Sequence, residues 1–330
     1  MTLPNTVDEI DAAWVGAALG SELKSLEQTG IVWGTATKVL VAATHLDGRV
    51  ERLCVKGGFR AELRAIMAPG YRAEALFYRD VAPLLGAGIP RCRHAVVGDD
   101  QGIVILEDLT ATGGRVNDPR VPLTVDQVAD GLRAMAGWHA RSDLYPDWLS
   151  RAPYYRPIVD SLFAPAHWDA YIGQTTAGPV LEVFSDRERL ARVYALLWAA
   201  QDAAPATFVH GDANPTNVYF DAAGSTRFLD WQFVCRTDPY QDVACFLVGS
   251  LSTADRRTNE QELLRDYLEL RGPGAELFDA AWTAYRRNAV YGAVYCLTPE
   301  EMQPAAVRAP LADRYAQAAL DLESLALLES

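Results

Sequence analysis

Hydrophobic and polar positions in the first third of the chain follow the pattern of β-strands. Residues 31–57 contain three strand-like runs, and the Asp47-Gly48 pair between the second and the third is a strong hairpin signal. Residues 92–98 (CRHAVVG) and 102–109 (GIVILEDL) have the apolar and β-branched composition of two further strands. The pattern therefore predicts five strands before residue 110.

Two other segments of this region have apolar residues at helical spacing. Residues 7–19 form one predicted helix, which is expected to stop at Gly20. A loop is expected at 67–70 (MAPG), and a second helix is predicted over 71–85. Up to Asp108 the predicted order is therefore helix, three strands, helix and two strands.

Helical spacing dominates the rest of the chain. Strand-like composition returns only at 208–230, where Ala223-Gly224 provides a turn. The helices predicted by the pattern cover 124–141, 186–202, 260–270, 275–297 and 311–328. We therefore predict an α+β protein with a small β-rich lobe over 1–108, which has one main helix, and a larger, mostly helical lobe over 109–330.

Composition excludes several classes of protein. The net charge of −13 argues against unaided binding to nucleic acid or to an anionic membrane. No window approaches 18 apolar residues without a charge, so no transmembrane span is expected, and the N-terminal segment lacks the features of a signal peptide. The five cysteines are scattered without CxxC spacing, which is typical of reduced thiols. We therefore expect a cytoplasmic protein, and the pattern indicates no particular oligomeric state.

The stretch 208–232 (FVHGDANPTNVYFDAAGSTRFLDWQ) sets several oxygen-bearing side chains between short apolar runs. A hairpin brings its open ends together, so Asp212, Asn217 and Asp230 are expected to converge. Two carboxylates and an amide suit a hard cation such as Mg²⁺, which shares its coordination shell with water and substrate phosphates. A carboxylate that does not bind the metal can accept a proton from an attacking hydroxyl.

The same stretch carries a resemblance to a known family. The motif H-G-D-x-x-x-x-N, followed by an apolar strand and L-D-W-Q, resembles the catalytic and metal loops of the protein-kinase-like small-molecule phosphotransferases. These include aminoglycoside phosphotransferases, choline kinases and ecdysteroid-kinase-like proteins. The resemblance covers nearly the whole chain, and E-x-x-F-Y at 74–78, E-D-L at 107–109 and D-W-Q at 230–232 favour the ecdysteroid-kinase-like branch. It implies a bilobal kinase-like fold and an enzyme that uses ATP and Mg²⁺.

The resemblance also implies a role for each matching residue. It makes Asp212 the catalytic base and makes Asn217 and Asp230 the Mg²⁺ ligands. Lys56 is expected to neutralise the nucleotide phosphates, and Glu74 is expected to position that lysine. It further implies that backbone groups of about Glu107 to Leu109 bind adenine, that His210 supports the catalytic loop and that Asp242 anchors that loop.

Some of these residues have simpler interpretations. Lys56 alone would be a solvated lysine on a strand, and Asp242 could be a helix N-cap as well as an anchor. In the family, the loop that covers the phosphates has a glycine-bearing turn between the first two strands. Gly34 and Thr35 are the best candidates for it, and an ordinary hairpin turn without nucleotide contact is the alternative.

Two features favour a small-molecule acceptor over a protein. Gly211 stands where protein kinases usually have an arginine, and the 12 residues from Asp230 to Asp242 are too few for a peptide-docking segment. The expected acceptor side, at about 143–185 and 255–300, is rich in aromatic residues and in charges of both signs. This composition favours a neutral or hydrophobic alcohol, such as a sterol-like compound, over a polyamine.

Several alternatives stay open at this point. The protein could be an aminoglycoside- or macrolide-type antibiotic kinase, a nucleotide-binding pseudokinase scaffold, or an enzyme that transfers AMP from ATP. Trp282, Tyr285, Tyr291 and Tyr295 indicate a buried helix, and the alternative is that some of them line an acceptor pocket.

Overall fold

The computed structural model describes residues 2–86, 88–141, 143–151, 153–172, 178–300 and 303–330. Residues 152 and 173–177 of the predicted acceptor side therefore lie outside the described residues. Contacts divide the chain into two compact units. The first contains Met1–Val116, Tyr219–Gly224 and Leu229–Phe233, and the second contains Asn117–Val218, Ser225–Phe228 and Val234–Ser330. The contact division thus falls at Val116, and the predicted lobe boundary at 108–109 stays a prediction.

The first unit is built on a five-stranded antiparallel sheet. Its strands are β1 (Leu23–Val32), β2 (Thr37–His45), β3 (Val50–Gly57), β4 (Cys92–Val97) and β5 (Gly102–Glu107). They lie in the order β1-β2-β3-β5-β4. All five predicted strands are present, and β1 begins earlier than predicted, at Leu23.

A short helix packs on this sheet. After a 3-10 turn at Val7–Glu9, α1 spans Ala12–Leu19. Asp11 interrupts the predicted helix because it leaves helical geometry to cap α1, and its Oδ1 accepts the N–H of Trp14 at 2.7 Å. Gly20 ends the helix with φ 68°, as the sequence predicted. The buried core here includes Trp14, Val15, Val39, Val41, Leu53, Val55 and Ile105.

The helix that follows β3 is longer than predicted. α2 spans Ala61–Leu76, continues as a π-helical turn at Phe77–Val81 and joins α3 (Ala82–Leu85). The loop predicted at 67–70 is wrong, because Pro69 lies inside α2.

Packing explains why α2 continues through a proline. Met67 and Tyr71 are both buried, and the backbone at Tyr71 lies directly against Gly102 of β5. A Cβ added to Gly102 would lie 2.0 Å from the Tyr71 carbonyl oxygen, so only glycine permits this approach. A loop at this position would expose both side chains, and that cost outweighs the one hydrogen bond that Pro69 fails to donate.

The second unit is mostly helical. Before it begins, β6 (Arg115–Val116) pairs antiparallel with residues Tyr219 and Phe220 in the first unit. The helices are α4 (Val125–His139), α5 (Arg156–Leu162), α6 (Pro165–Ile172), α7 (Pro179–Val183), α8 (Arg187–Ala203), α9 (Tyr240–Ser250), α10 (Thr253–Arg271), α11 (Phe278–Asn288), α12 (Ala305–Asp321) and α13 (Ser324–Glu329). The strands in this half of the chain are β7 (Thr207–Val209), β8 (Val218–Phe220), β9 (Thr226–Phe228) and β10 (Cys235–Thr237). β10 pairs with β7, and Tyr219 and Phe220 of β8 belong to the first unit.

The predicted helices of this unit are present with two informative differences. The helix predicted over 311–328 is divided into α12 and α13, because Glu323 between them has a left-handed backbone with φ 52°. The helix predicted over 275–297 ends at Asn288, and a separate 3-10 helix covers Tyr291–Leu297. The prediction of an α+β fold, with the main sheet in the N-terminal part and helices in the C-terminal part, is confirmed. Within the described residues, none of the helices has the length and apolar character needed to span a membrane.

Candidate active site

The first unit brings Lys56, Glu74 and Asp230 into one charge cluster. The Nζ of Lys56 on β3 lies 2.7 Å from Glu74 Oε1 on α2 and 2.8 Å from Asp230 Oδ1. The Lys56 and Glu74 side chains are only 3% and 4% exposed. Burial by itself would lower the pKa of Lys56, but the carboxylates of Asp230 and Glu74 outweigh burial and raise the pKa. The ammonium group of Lys56 therefore stays charged.

Asp230 has an unusual backbone conformation. Its φ of 69° lies in the left-handed region, which residues other than glycine rarely adopt. The next residue, Trp231, donates its backbone N–H to Glu74 Oε1 at 3.2 Å. The Trp231 ring also stacks on Phe77 of the π-helical turn, with 4.3 Å between the ring centroids. The helical segment α2 and its extension therefore support the strained position from two directions.

Gly34 and Thr35 lie in the loop between β1 and β2. The Tyr71 hydroxyl of α2 donates to the Thr35 carbonyl oxygen. Gln232 Nε2 donates to Thr35 Oγ1 at 3.3 Å. The loop is thereby attached both to α2 and to the segment that follows Asp230.

Glu107 and Leu109 lie where β5 ends. The N–H of Glu107 already donates to the Arg91 carbonyl oxygen at 3.0 Å. Asp108 Oδ1 accepts both the N–H and the hydroxyl of Thr110, at 3.0 and 2.6 Å, which fixes the turn. In the described part of the chain, the N–H of Leu109 makes no hydrogen bond. Leu109 rather than Glu107 is therefore the residue whose N–H could serve an adenine ring.

The second unit holds Asp212 in the loop between β7 and β8. Asn217 Nδ2 donates to the Asp212 carbonyl oxygen at 2.8 Å and to its Oδ2 at 2.9 Å. Asn214 Nδ2 donates to Asp212 Oδ1 at 2.8 Å, and the Tyr295 hydroxyl donates to the same oxygen. Both oxygens of this carboxylate thus accept from neutral donors, which fix its position and leave its charge intact.

Asp242 binds the backbone of the same loop. Its Oδ2 accepts the N–H of His210 at 2.7 Å, and its Oδ1 accepts the N–H of Gly211 at 2.9 Å. Gly211 has φ 84°, a conformation that glycine adopts without strain. The ring of His210 accepts the Asp212 N–H on Nδ1 at 3.2 Å. Neutral His139 donates from Nε2 to Asp242 Oδ2 at 3.2 Å, and burial lowers the pKa of His139.

The structure adds residues that the sequence analysis did not assign to the site. Lys38 on β2 lies 3.5 Å from Asp230 Oδ2. The Asp47-Gly48 signal could not have identified it, because a two-residue turn there would set Lys38 opposite Gly57, whereas the observed register is centred on Asp47 and sets Lys38 opposite Lys56. The sequence analysis interpreted Tyr295 as part of a buried helix, with an acceptor pocket as the alternative. Burial and then the Asp212 carboxylate raise its pKa, so the phenol keeps the proton that it donates.

A comparison with protein families decides the class of this protein. The model of the phosphotransferase enzyme family matches residues 59–286, which is more than half of the chain. The chain belongs to this family. The prediction of a protein-kinase-like phosphotransferase is therefore confirmed at the family level, while the ecdysteroid-kinase-like branch stays a prediction. A search of curated proteins found no match.

Solved structures of other phosphotransferases share the fold at low sequence identity. The choline kinase LicA from Streptococcus pneumoniae is 14% identical, and the match covers 94% of this chain and 97% of that chain with a TM-score of 0.51. Spectinomycin phosphotransferase APH(9)-Ia is 11% identical, with 95% and 97% covered and a TM-score of 0.53. The amicoumacin kinase hAmiN is 13% identical, with 94% of each chain covered and a TM-score of 0.52. These likenesses confirm the kinase-like fold.

The donor chemistry of this phosphotransferase fits the predicted metal ligands. The amide nitrogen of Asn217 bonds to Asp212, and no described residue donates to its Oδ1, which leaves an oxygen of the kind that Mg²⁺ prefers. Asp230 supplies a carboxylate in the first unit. Among the described residues, no group of three or more His, Cys, Asp and Glu forms a metal site. Mg²⁺ does not require such a group, because it commonly binds one or two carboxylates together with phosphates and water.

Proposed function

We propose that this phosphotransferase is an ATP- and Mg²⁺-dependent kinase that phosphorylates a hydroxyl group of a small molecule. The observation that carries the proposal is the position of Lys56 between Glu74 and Asp230, at 2.7 and 2.8 Å. Kinase-type phosphoryl transfer needs a lysine that a helix glutamate positions and an aspartate that serves the metal. Nucleotide use is supported by the structural neighbours, which were solved with ADP (the spectinomycin enzyme) and with AMP-PNP and Ca²⁺ (the amicoumacin kinase).

Each residue then has a defined task. Lys56 neutralises phosphate charge, and the Leu109 N–H binds the adenine edge. Asp212 orients the acceptor hydroxyl and takes its proton as the oxygen attacks the terminal phosphorus. Asn217 and Asp230 would hold Mg²⁺, which when bound neutralises charge on the phosphate oxygens. His210 and Asp242 keep the loop in place through the bonds to its backbone.

The segment after Asp230 supports a small-molecule acceptor. A 3-10 helix at Trp231–Phe233, β10 and the start of α9 fill the 12 residues up to Asp242. These elements leave no extended loop of the length that a protein substrate would need for docking. Gly211, with its left-handed backbone, also provides no side chain that could bind a regulatory phosphate.

The finer proposal is that the acceptor is a neutral or hydrophobic alcohol. Many aromatic residues of the predicted acceptor side, such as Tyr155, Trp168 and Tyr285, are buried in the core and so do not bear on this choice. Trp148, Tyr154 and Trp282 are half-buried and stay candidates for contact with an apolar acceptor. An aminoglycoside or macrolide acceptor is the alternative, since the same reaction serves either alcohol.

A panel assay tests the proposal. ADP formation is followed with ATP, Mg²⁺ and a sterol, a macrolide, choline or an aminoglycoside, and mass spectrometry of the product identifies the added group. A phosphate on the sterol-like compound supports both levels of the proposal, and turnover only with aminoglycosides contradicts the finer one. An added nucleotide shows AMP transfer instead. Nucleotide binding without turnover of any acceptor, together with a co-purifying protein, supports the scaffold alternative.

A further inference from the structure

Lysine is rare in this chain, and its distribution is uneven. Of the 30 lysine and arginine residues, only Lys24, Lys38 and Lys56 are lysines. Lys38 on β2 and Lys56 on β3 are direct partners in the antiparallel register. Residues paired in this way project from the same face of a sheet, and like charges at such positions repel each other. This pair therefore needs an anion to stabilise it.

Asp230 supplies part of that compensation. Its Oδ1 lies 2.8 Å from Lys56 Nζ, and its Oδ2 lies 3.5 Å from Lys38 Nζ. One carboxylate therefore bridges the two ammonium groups, and Glu74 provides a second negative charge on the Lys56 side. The four side chains balance each other in charge, although the contacts are not equivalent.

The two lysines differ in how many hydrogen bonds their ammonium groups donate. Lys56 makes two short hydrogen bonds and has a side chain that is 3% exposed, whereas the Lys38 side chain is 31% exposed. The 3.5 Å contact of Lys38 is longer than an ordinary N–H···O hydrogen bond. Within the described chain, Asp230 is the one ion-pair partner of Lys38. Its ammonium group thus has donors available for an anion that reaches it from solvent.

The loop before β2 adds a second observation. Thr35 lies three residues before Lys38, and its hydroxyl accepts a hydrogen bond from Gln232, two residues after Asp230. The Asp230 segment is therefore joined to the loop before β2 at Thr35 as well as to Lys38 itself. A ligand that meets Lys56 in this unit would lie beside the side chain of Lys38, because the two positions are paired.

We propose that Lys38 is a second phosphate-binding lysine, which contacts a phosphate of the bound nucleoside triphosphate alongside Lys56. This inference rests on the proposed nucleotide-dependent function. On binding, the ammonium group exchanges its long contact with Asp230 for a phosphate oxygen. The phosphate thereby occupies N–H donors of Lys38 that its 3.5 Å contact with Asp230 leaves available.

Covalent labelling tests the position of Lys38 directly. An acyl phosphate of ATP places a reactive carbonyl at the end of the phosphate chain. A lysine amine nearby attacks that carbon, forms an amide and releases ATP, while the amine proton passes to water. Cleavage after Glu27 and at Arg49 separates the peptides that carry Lys24, Lys38 and Lys56, so mass spectrometry assigns the labelled site.

We expect the label on Lys38 and Lys56, with excess ATP suppressing both, and no ATP-protected label on Lys24, which is exposed on β1. Protected labelling of Lys56 without Lys38 overturns this inference and leaves the nucleotide site intact. A lack of ATP protection at both lysines contradicts the proposed function itself. The two failures are thus distinguishable.

Substitution provides an independent measurement. We expect Lys38→Met to weaken ATP binding by about 10-fold, as the loss of a hydrogen bond to a charged group commonly does, and to leave adenosine binding unchanged. Lys24→Met is the matched control and should change neither affinity. Isothermal titration calorimetry with ATP and adenosine gives both values. An unchanged ATP affinity, or an equal loss for adenosine, counts against a phosphate contact.

Discussion

The two units of this protein hold their important carboxylates in different ways. In the first unit, Glu74 and Asp230 face the ammonium groups of Lys56 and Lys38. In the second unit, the described hydrogen bonds to the Asp212 and Asp242 carboxylates come from amide, imidazole and phenol groups that carry no charge.

The difference indicates what each group is suited to do. A buried ion pair is sensitive to the loss of either partner, and its cations can turn to an anionic ligand such as a triphosphate. Neutral hydrogen bonds fix a carboxylate without cancelling its charge, which suits a base or a residue that orients a hydroxyl. These properties support the proposal that the first unit binds the phosphates and that Asp212 of the second unit orients the acceptor hydroxyl.

The largest expected effect is on Asp212, the proposed catalytic base. We expect Asp212→Ala to lower the rate of phosphoryl transfer by about 10²–10⁴-fold, because no other group would take the proton of the acceptor hydroxyl. The rate is measured as ADP formation with the acceptor found in the panel. Asp126→Ala, an exposed residue in the first turn of α4, is the control. An Asp212→Ala variant within about threefold of wild type would remove Asp212 from this role.

The next largest effect is expected on the free energy of unfolding when the buried Lys56 loses its contacts with Glu74 and Asp230. Lys56→Met leaves Glu74 and Asp230 without their main cation, so we expect it to lower the free energy of unfolding by about 3–5 kcal/mol. Arg120→Ala removes an exposed ion pair with Asp118, which water and salt screen, and should lower the free energy of unfolding far less. Urea denaturation of both variants gives the two values. Equal losses of unfolding free energy in the two variants would mean that the buried ion pair contributes no more to stability than the exposed one.

A smaller effect is expected from the phenol beside the base. Tyr295→Phe removes one neutral donor from Asp212, and we expect the rate to fall by about 10-fold because the carboxylate is less well fixed. Tyr291→Phe, on the same 3-10 helix, loses only a 3.4 Å contact with the Gly211 carbonyl oxygen and is the matched control. A Tyr295→Phe rate equal to that of the control would show that the remaining donors suffice.

The smallest effect is a dependence of stability on pH. Burial lowers the pKa of His139 below its ordinary value of 6.5, so protonation favours the unfolded chain. Its contribution to stability is therefore complete above about pH 6.5 and is lost as the pH falls below that value. We expect thermal unfolding to show a larger loss between about pH 7.5 and 5.5 for the wild type than for His139→Gln.

The buried carboxyl of Asp238 acts in the opposite direction, because burial raises its pKa to about 6 and its protonation favours the folded chain as the pH falls. Since both proteins contain Asp238, its effect cancels in the comparison of wild type with His139→Gln. Identical pH profiles would show that His139 does not titrate in this range.

Parts of this architecture were predictable because they depend on neighbours in the sequence. The Asp47-Gly48 turn fixes the hairpin of β2 and β3, and Thr124 with Gln127 forms the capping box that begins α4. Asn217 reaches Asp212 across five residues of one loop, which the motif itself specifies. The pairing of Lys56 with Glu74 came from the family resemblance, since nothing local links a strand lysine to that glutamate.

Other parts could not be predicted from local patterns. α2 continues through Pro69 because Gly102 lets the helix backbone approach β5, and that contact joins residues far apart in sequence. The predicted helix over 275–297 ends early, where the Asn288 side chain donates to the buried Asp238 carboxylate. The change to a 3-10 helix then brings the Tyr295 hydroxyl to Asp212. Helical periodicity alone is the same for a continuous and an interrupted helix.

The sequence by itself determined the type and order of most elements and the loop motif of a phosphotransferase, since these depend on side-chain periodicity and on residues close together in the chain. Tertiary structure alone decided the left-handed backbone of Asp230, the contact of that residue with two lysines and the donation from Tyr295 to Asp212. These contacts join residues about 80 to 190 positions apart. Only the packing of whole elements, which no local pattern encodes, brings such residues within hydrogen-bonding distance.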